Sequence, residues 1–444
     1  MVSWLAAVVM MLSQGNATDV LDLVDAASYW KAQNVQMTAD ALAAEVKPPA
    51  AAANRAAAVR RLMAIRALGE LKDKAALPLL KPLLGEQAPF VADYARQAIA
   101  TIEGAPYRRQ MPSAENLAAD VALLPSGCSL VAQTSMAGGA PISYDALADI
   151  LKAATPPGGK AQDVERVRSE VTQALTQFTG TVGNFRIESV TMGVAGEFGP
   201  RAGFLVVIAR GLYDADAARE AAQAVAKKEV EEVEDVGVIR PDSEVALAFP
   251  SNDRAILVAG PARESVDAAL VQVLAALKTG KGGLDGDAGM KALLASVDRA
   301  KHLWAAAAMT DTYRQAELFA PFDTITLTAD EAGGTMDFLL VARGRDADAA
   351  AKAVGQFEAG RQDALKQMKA NMPAEAKAMM GGIVEMIEGV KTAQDGAQVT
   401  VTASLKGGGL GGMLLPLFGF STVRVSTQPQ TEAEQTGRAA QAAP

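Results

Sequence analysis

The sequence has one cysteine, Cys128, and one histidine, His302, in 444 residues. A single cysteine excludes an intramolecular disulfide framework, and a single histidine excludes any site that needs two imidazoles. Lys and Arg number 42 against 51 Asp and Glu, which gives a formal net charge of −9. This balance argues against a nucleic-acid partner, because binding phosphates requires clustered Lys and Arg. Aromatic residues make up only 5% of a chain that is 50% hydrophobic, so alanine, valine and leucine must fill the core.

Motifs that catalysis or cofactor binding would need are missing as well. The chain has no Gly-x-Ser-x-Gly elbow and no Gly-x4-Gly-Lys-Ser/Thr phosphate loop. DGDAG, at Asp285–Gly289, begins like a calcium loop but lacks the third acid and the terminal Glu. We therefore predict no catalytic residue, no cofactor and no metal site. Cys128 is predicted to be a packed thiol; a Cys128–His302 pair is the alternative, because both residues open equivalent predicted strands.

The N-terminal residues MVSWLAAVVMMLSQGNATD suggest export. The apolar run Trp4–Leu12 is too short to span a bilayer but suits the hydrophobic region of a signal peptide. Gly15 and Ala17 place small residues at the −3 and −1 positions of a cleavage site after Ala17. We expect residues 1–17 to be a signal peptide and the mature protein to be periplasmic or extracellular. In the alternative interpretation the run is an uncleaved apolar helix and the protein is cytoplasmic.

Residues 18–110 are predicted to form a helical domain. Apolar residues recur at the helical period over Val59–Leu68, and Gly69 stands where that helix should end. Asp73 is a suitable N-cap for the next helix. These residues predict consecutive short helices rather than strands.

The run ALGELKDKAALPLLKPLL, at Ala67–Leu84, resembles the HEAT-like helical repeat, in which a Leu-Gly turn, an Asp and an Ala-Leu-Pro-Leu-Leu helix recur. The resemblance covers roughly residues 55–104, about one and a half units, whereas solenoids generally need about three units to bury a continuous core. It implies contact with one or more protein partners rather than catalysis. We expect partners to bind the helical face over Val59–Ile102.

Beyond residue 118 strand patterns alternate with amphipathic helices. FLVVIARGLYDADAAREA, at Phe204–Ala221, is nearly repeated as FLLVARGRDADAAAKA at Phe338–Ala353, within the same order of predicted elements. We therefore predict two related modules, at residues 118–280 and 281–406. The predicted fold class is α+β: a short N-terminal HEAT-like α-helical domain followed by two tandem related α+β modules with antiparallel sheets.

Four residues of the repeated stretch are candidates for ligand binding or interaction. Asp214 and Asp346 stand where a strand leads into a helix, where a carboxylate accepts backbone N–H groups. Arg210 and Arg343 precede a glycine and are able to clamp an anion or to pair with a neighbouring acid. Capping and ion pairing are one interpretation of these residues, and a ligand site is the alternative.

Two further segments have unusual composition. The acidic run KKEVEEVEDVG, at Lys227–Gly237, is predicted to be a solvated helix face, with a weak divalent-ion site as the alternative. Residues 407–444 combine a Gly-rich apolar segment, which includes Leu414 and Leu417, with a polar tail expected to be disordered. We expect the apolar segment to pack on the body of the protein. Peripheral membrane contact through residues 410–420 is the alternative.

Together these patterns favour an exported, non-enzymatic protein with an interaction or structural role in the cell envelope or outside the cell. Two alternatives from other classes stay open. One is a carrier of an apolar ligand, held between the two modules and near Leu414. The other is an enzyme of unknown type that works without histidine.

Overall fold

The computed structural model describes most of the chain outside its ends. The described residues are 19–48, 55–88, 90–107, 112–135, 173, 175–176, 179–180, 183–196, 202–315, 318–332, 335–371, 382 and 384–406. The predicted signal peptide and the C-terminal segment with Leu414 and Leu417 lie outside these residues.

The N-terminal part is helical, as predicted. Its helices are α1 (Ala26–Ala32), α2 (Ala39–Glu45), α3 (Arg55–Leu71), α4 (Leu77–Leu80), α5 (Val91–Glu103) and α6 (Ala114–Ala122), with 3-10 turns at Val20–Leu23, Lys74–Ala76 and Lys81–Gly85. The Asp73 carboxylate accepts the backbone N–H of Ala75 at 2.9 Å, which confirms the predicted cap. In the part of the chain that the structure describes, every helix is too short or too polar to cross a membrane.

The prediction that Gly69 ends a helix is wrong, because α3 continues through it to Leu71. Gly69 lies where α3 packs against α5, and a Cβ built on it would be 2.7 Å from the Cα of Ala98. The position therefore requires glycine for close helix packing and not for helix termination.

The strands of the described residues form one sheet of twelve. They are β1 (Cys128–Ser135), β2 (Arg186–Gly196), β3 (Ala202–Leu212), β4 (Val230–Val233), β5 (Val236–Asp242), β6 (Val245–Ser251), β7 (Arg254–Ala259), β8 (Leu303–Ala308), β9 (Phe322–Ala332), β10 (Thr335–Gly344), β11 (Lys391–Asp395) and β12 (Gln398–Lys406). Their order is β11-β12-β10-β9-β8-β1-β2-β3-β7-β6-β5-β4, and every neighbouring pair is antiparallel. The remaining helices are α7 (Ala215–Ala226), α8 (Arg263–Thr279), α9 (Ala288–Ala295), α10 (Asp311–Arg314) and α11 (Ala347–Asn371).

The two predicted modules share this sheet and meet where β1 pairs with β8, with Val131 opposite Ala306. Outward from this centre, both halves have the same order of strands: β2, β3, β7, β6 on one side and β9, β10, β12, β11 on the other. Helix α7 follows β3, and α11 follows β10. The first half has an additional hairpin, β4–β5. An internal duplication would produce this common order; the duplication and the domain boundaries stay predictions.

The acidic run at Lys227–Gly237 is not a helix, so that prediction is wrong. Val230–Val233 pairs with the start of β5 at the edge of the sheet. Glu234 and Asp235, which connect the two strands, have positive φ angles of 51° and 61°. Two consecutive positive φ angles are characteristic of a type I′ hairpin turn. Valines three residues apart fit a helical period, and here the turn between the strands decides the structure instead.

Two large cores stabilise the fold. The first lies within the helical domain, between α1–α5, with Trp30, Ile65 and Leu68 completely buried. The second lies between α6, α8, α9 and one face of the sheet, and includes Trp304 and Leu270. Burying a side chain of this size contributes roughly 1.5–3 kcal/mol, so both cores fix the surfaces that their helices present outward.

Candidate interaction surface

Arg210 forms a buried ion pair that fixes α6 to the sheet. Its Nε and Nη2 donate to the two carboxylate oxygens of Asp120 at 2.6 and 2.7 Å, and its Nη1 donates to Asp253 at 2.8 Å. Arg254 also donates to Asp120, at 2.9 Å. Asp120 is completely buried. Arg210 therefore pairs with neighbouring acids, which is the ion-pairing interpretation of this residue.

Arg343 has the matching position in β10 but different surroundings. It is exposed, and its Nε donates to the side-chain oxygen of Gln398 on the neighbouring strand at 3.2 Å. Four strands lie between β3 and β10 in the sheet. At ~4.8 Å per strand, the two strands that carry Arg210 and Arg343 are about 24 Å apart. The structure therefore does not bring the two predicted arginines into one site.

The two aspartates of the repeated stretch cap helices. Asp214 accepts the backbone N–H of Ala217 at 2.9 Å at the start of α7. Asp346 accepts the backbone N–H of Asp348 at 2.8 Å at the start of α11. Both contacts match the predicted capping, which satisfies N–H groups that a helix start leaves without partners.

The glycine after each arginine allows a close backbone approach. A Cβ on Gly211 would overlap the carbonyl oxygen of Arg186, and a Cβ on Gly344 would overlap that of Pro321. The shared Arg-Gly pair thus has a structural cause in both halves of the sheet, since only glycine fits where the preceding strand crosses so closely.

A Cys128–His302 pair is excluded by the direction of the strands. The carbonyl of His302 accepts the N–H of Ser135, at the opposite end of β1 from Cys128, at 2.7 Å. Seven residues of extended strand separate these ends by about 24 Å. The Cys128 thiol is buried and donates to the Pro125 carbonyl at 3.3 Å, and burial raises its pKa to about 12. It is a packed thiol, as predicted.

His302 forms a local cluster between β8 and β9. Its Nδ1 lies 2.6 Å from Asp330, whose other oxygen accepts from Lys301 Nζ at 2.8 Å. The hydrogen bond from Lys301 and then that from His302 hold the pKa of Asp330 below its usual value. Across the described residues, no three His, Cys, Asp or Glu side chains are grouped as a metal site would require.

The segment Lys74–Gly85 of the HEAT-like region has one buried and one exposed side. The buried side holds Ala76, Leu80 and Leu83. Lys74, Pro78 and Lys81 have the same spacing of four and three residues and are exposed. Residues at this spacing lie on one face of a helical segment, so the three form a continuous outward ridge.

Two exposed leucines lie beside this ridge in the sequence. Leu71, at the end of α3, is 36% exposed and Leu84 is 41% exposed, although large aliphatic side chains are usually buried. We refer to one set of exposed residues as the lysine–leucine surface: Leu71, Lys72, Lys74, Pro78, Lys81 and Leu84.

The acids next to this surface have other partners. Glu70 accepts from Arg66 at 2.7 Å, and Glu86 accepts from Arg61 at 2.6 Å. Asp73 caps the 3-10 turn that begins at Lys74. Among the described residues, none forms an ion pair with the three lysines of the surface. The lysine–leucine surface is therefore locally positive in a protein whose net charge is −9.

The helical domain is tied to the sheet by a second buried cluster. Arg186 on β2 donates to Asp19 at 2.5 Å and also to Asp93 on α5. The Val20 N–H donates to the Phe185 carbonyl at 3.1 Å. These partners are distant in sequence and belong to no motif, so spacing alone could not have identified them. The lysine–leucine surface is thereby carried on a helical domain anchored to the sheet.

An apolar groove of about 650 Å³ lies beside α11 in the second half of the protein. Its lining is Leu318, Gln356, Phe357, Gly360, Arg361, Ala364, Ile387 and Val390. Gly360 is inside a helix of 25 residues, and a Cβ built on it would meet nothing within 4 Å. Packing thus does not explain this glycine, which costs roughly 1 kcal/mol relative to alanine in a helix.

The fold is that of an α+β protein whose helical domain contains a HEAT-like unit. The family model described as PBS lyase HEAT-like repeat matches residues 60–86, which include the whole lysine–leucine surface. This confirms the resemblance predicted from the sequence. No curated protein sequence matches the chain.

Among solved structures, the chain is similar to crystal forms of TP0453. Form III has 7% sequence identity and a TM-score of 0.35, and the match covers 66% of this chain and 96% of that chain. Form I has 9% identity and a TM-score of 0.35, with 67% and 97% covered. Likeness at this level says nothing about function.

Proposed function

We propose that the protein is a non-enzymatic interaction protein that binds a protein partner through the lysine–leucine surface. The observation that carries the proposal is the position, on a HEAT-like unit, of two exposed leucines and of three lysines that form no ion pair with any described residue. HEAT-like units generally serve protein contact. Exposed apolar groups among polar ones are typical of interfaces.

The connection between the helical domain and the sheet supports this role. The buried contacts of Arg186 with Asp19 and Asp93 hold α5 to β2. A surface on a rigid support loses less conformational freedom when it binds, so more of the contact energy appears as affinity.

Photo-cross-linking in the source cells tests the proposal. Ala75, an exposed residue next to Lys74 of the surface, is replaced by p-benzoylphenylalanine, and exposed Ala351 on α11 is the matched control position. We expect a discrete protein adduct from position 75 that position 351 does not give. The same adducts from both positions, or none from position 75, would contradict the proposal.

We also propose that the protein is exported. The support is the apolar run Trp4–Leu12 followed by small residues up to Ala17. N-terminal sequencing of the protein isolated from its host tests this. A chain that starts at Thr18 is expected, and a chain that starts at Met1 in the cytoplasmic fraction would contradict export.

Transport of an apolar ligand is a second candidate function, favoured by the groove beside α11. Its volume of about 650 Å³ is in the range of small-molecule sites. Gly360→Leu fills the groove, and Gly355→Leu is the matched control, because neither glycine has a neighbour within 4 Å of its Cβ position. A dansyl-labelled fatty acid should bind the parent and Gly355→Leu but not Gly360→Leu. Equal binding by all three, or none, would remove this candidate.

A further inference from the structure

We propose that the partner presents an acidic protein segment with apolar side chains to the lysine–leucine surface. This inference rests on the proposed function and specifies the chemistry of its partner. Its support is charge complementarity, together with the presence of both lysines and exposed leucines on one short stretch of chain.

The charge argument starts from the ion pairs around the surface. Arg61 and Arg66 neutralise Glu86 and Glu70, so of the three acids beside the surface only Asp73, which caps the 3-10 turn, offsets the three lysines. Lys72, Lys74 and Lys81 have no such partner within the described residues, and a carboxylate-bearing segment would supply one. Because the rest of the chain is strongly acidic, this positive area also orients an acidic partner towards it and away from other faces.

The spacing of the surface sets the shape of the partner. Lys74 and Lys81 are seven residues apart, about 10–14 Å along a helical segment that is part α and part 3-10. A partner segment that engages both lysines carries acids at a similar separation. A partner that covers Leu71 and Leu84 needs apolar side chains opposite them. Burial of these two leucines contributes binding free energy that the charged groups alone do not provide.

Two other polyanions fit less well. Nucleic acid would leave the exposed leucines without apolar partners and would meet repulsion from the overall charge of −9. An anionic membrane would require a broad apolar helical face, whereas only two leucines are exposed in residues 71–84, together with two exposed prolines, Pro78 and Pro82.

Charge reversal in the full-length chain, combined with the cross-linker at position 75, tests the inference. One variant carries Lys72→Glu, Lys74→Glu and Lys81→Glu, and a second carries arginine at the same three positions. The control reverses three exposed lysines elsewhere, Lys281, Lys366 and Lys391. We expect roughly a tenfold or larger loss of the protein adduct with glutamate at the surface. Arginine and the control reversal should retain it, and mass spectrometry of the adduct should identify an acid-rich partner peptide.

The outcomes separate the inference from the proposed function. A protein adduct that survives Lys→Glu, or that involves a partner peptide without acids, overturns the inference and leaves the proposed function standing. No protein adduct in the parent overturns both. Two further assays test the other polyanions: sedimentation with phosphatidylglycerol vesicles and retention on single-stranded DNA. If the parent binds either one, the Lys→Glu variant does not, and no protein is cross-linked, the inference is overturned in favour of a membrane or a nucleic acid.

The leucines provide an independent variant. Leu84→Ser should lower the adduct yield, whereas Leu339→Ser should not, because Leu339 is equally exposed at 42% but lies on β10. Equal yields from both variants would contradict an apolar component at the surface. Circular dichroism of each purified variant shows whether the fold is retained.

Discussion

Asp120 on α6 and Arg210 on β3 form a bidentate ion pair, with donor–acceptor distances of 2.6 and 2.7 Å. Asp120 is completely buried, whereas Asp253, the other partner of Arg210, is 48% exposed. Removing one charge of a buried pair leaves the other uncompensated, which costs about 3–5 kcal/mol. We expect Asp120→Asn to lower the free energy of unfolding by that amount and Asp253→Asn to lower it by less than about 1 kcal/mol. If urea denaturation gives the same loss of stability for both variants, the buried pair does not stabilise the packing of α6 on the sheet.

The glycines divide into two groups with opposite expected effects. Gly211→Ala and Gly344→Ala should each destabilise the protein by about 1–3 kcal/mol or more, because the added Cβ overlaps a backbone carbonyl. Gly355→Ala and Gly360→Ala should each stabilise it by up to about 1 kcal/mol, since both lie inside α11 with open space around the Cβ position. Thermal unfolding of the four variants checks the prediction, and a common sign for all four would refute it.

Glu188 and Glu358 should give opposite dependences of stability on pH. Burial raises the pKa of Glu188, and Arg186 opposes this rise only in part. A raised pKa means that the stabilising contribution is present below the unfolded pKa and is lost as pH rises through the folded pKa. Glu188→Gln should therefore gain stability relative to the parent between about pH 4 and pH 7.

The hydrogen bond from Arg361 is the main cause that lowers the pKa of Glu358. Its contribution is present above the unfolded pKa and is lost as pH falls through the folded pKa. Glu358→Gln should accordingly lose more stability relative to the parent at about pH 7 than at about pH 3. Urea denaturation across this range compares both variants with the parent, and parallel curves for the two would contradict the assignment.

Cys128 should resist alkylation in the folded protein. Its pKa of about 12 leaves roughly one thiolate in ten thousand at about pH 8, and the side chain is buried. Iodoacetamide should label it only after unfolding in urea, as followed by mass spectrometry. Fast labelling of the native protein would show that the thiol is accessible and that its predicted packing is wrong.

Local patterns predicted the elements of the fold well. The hairpins around Phe204 and Phe338, the helix caps at Asp214 and Asp346 and the HEAT-like unit follow from alternation, capping residues and a short motif. The joining of both modules into one sheet depends on the pairing of β1 with β8, which no local signal specifies. Short patterns gave two wrong predictions. Gly69 allows close helix packing and does not end its helix, and the acidic run Lys227–Gly237 forms a hairpin and not a helix.

The candidate surface was predictable only in outline. The HEAT-like resemblance indicated the region, but the exposure of Leu71 and Leu84 depends on which side of the segment packs against α5. Within the described residues Lys72, Lys74 and Lys81 form no ion pair, and this depends in part on the arginines that pair with Glu70 and Glu86. Such partners are chosen by tertiary packing, so a single sequence does not reveal them.

Lysine acetylation in the native complex tests the central claim most directly. Intact source cells, opened gently, and the purified chain are each treated briefly with N-hydroxysuccinimide acetate, and labelling is read at each lysine by mass spectrometry. We predict that Lys72, Lys74 and Lys81 are protected in the native extract and labelled in the purified chain, while Lys281, Lys366 and Lys391 are labelled equally in both. Equal labelling of all six lysines in both samples would contradict a partner at the lysine–leucine surface.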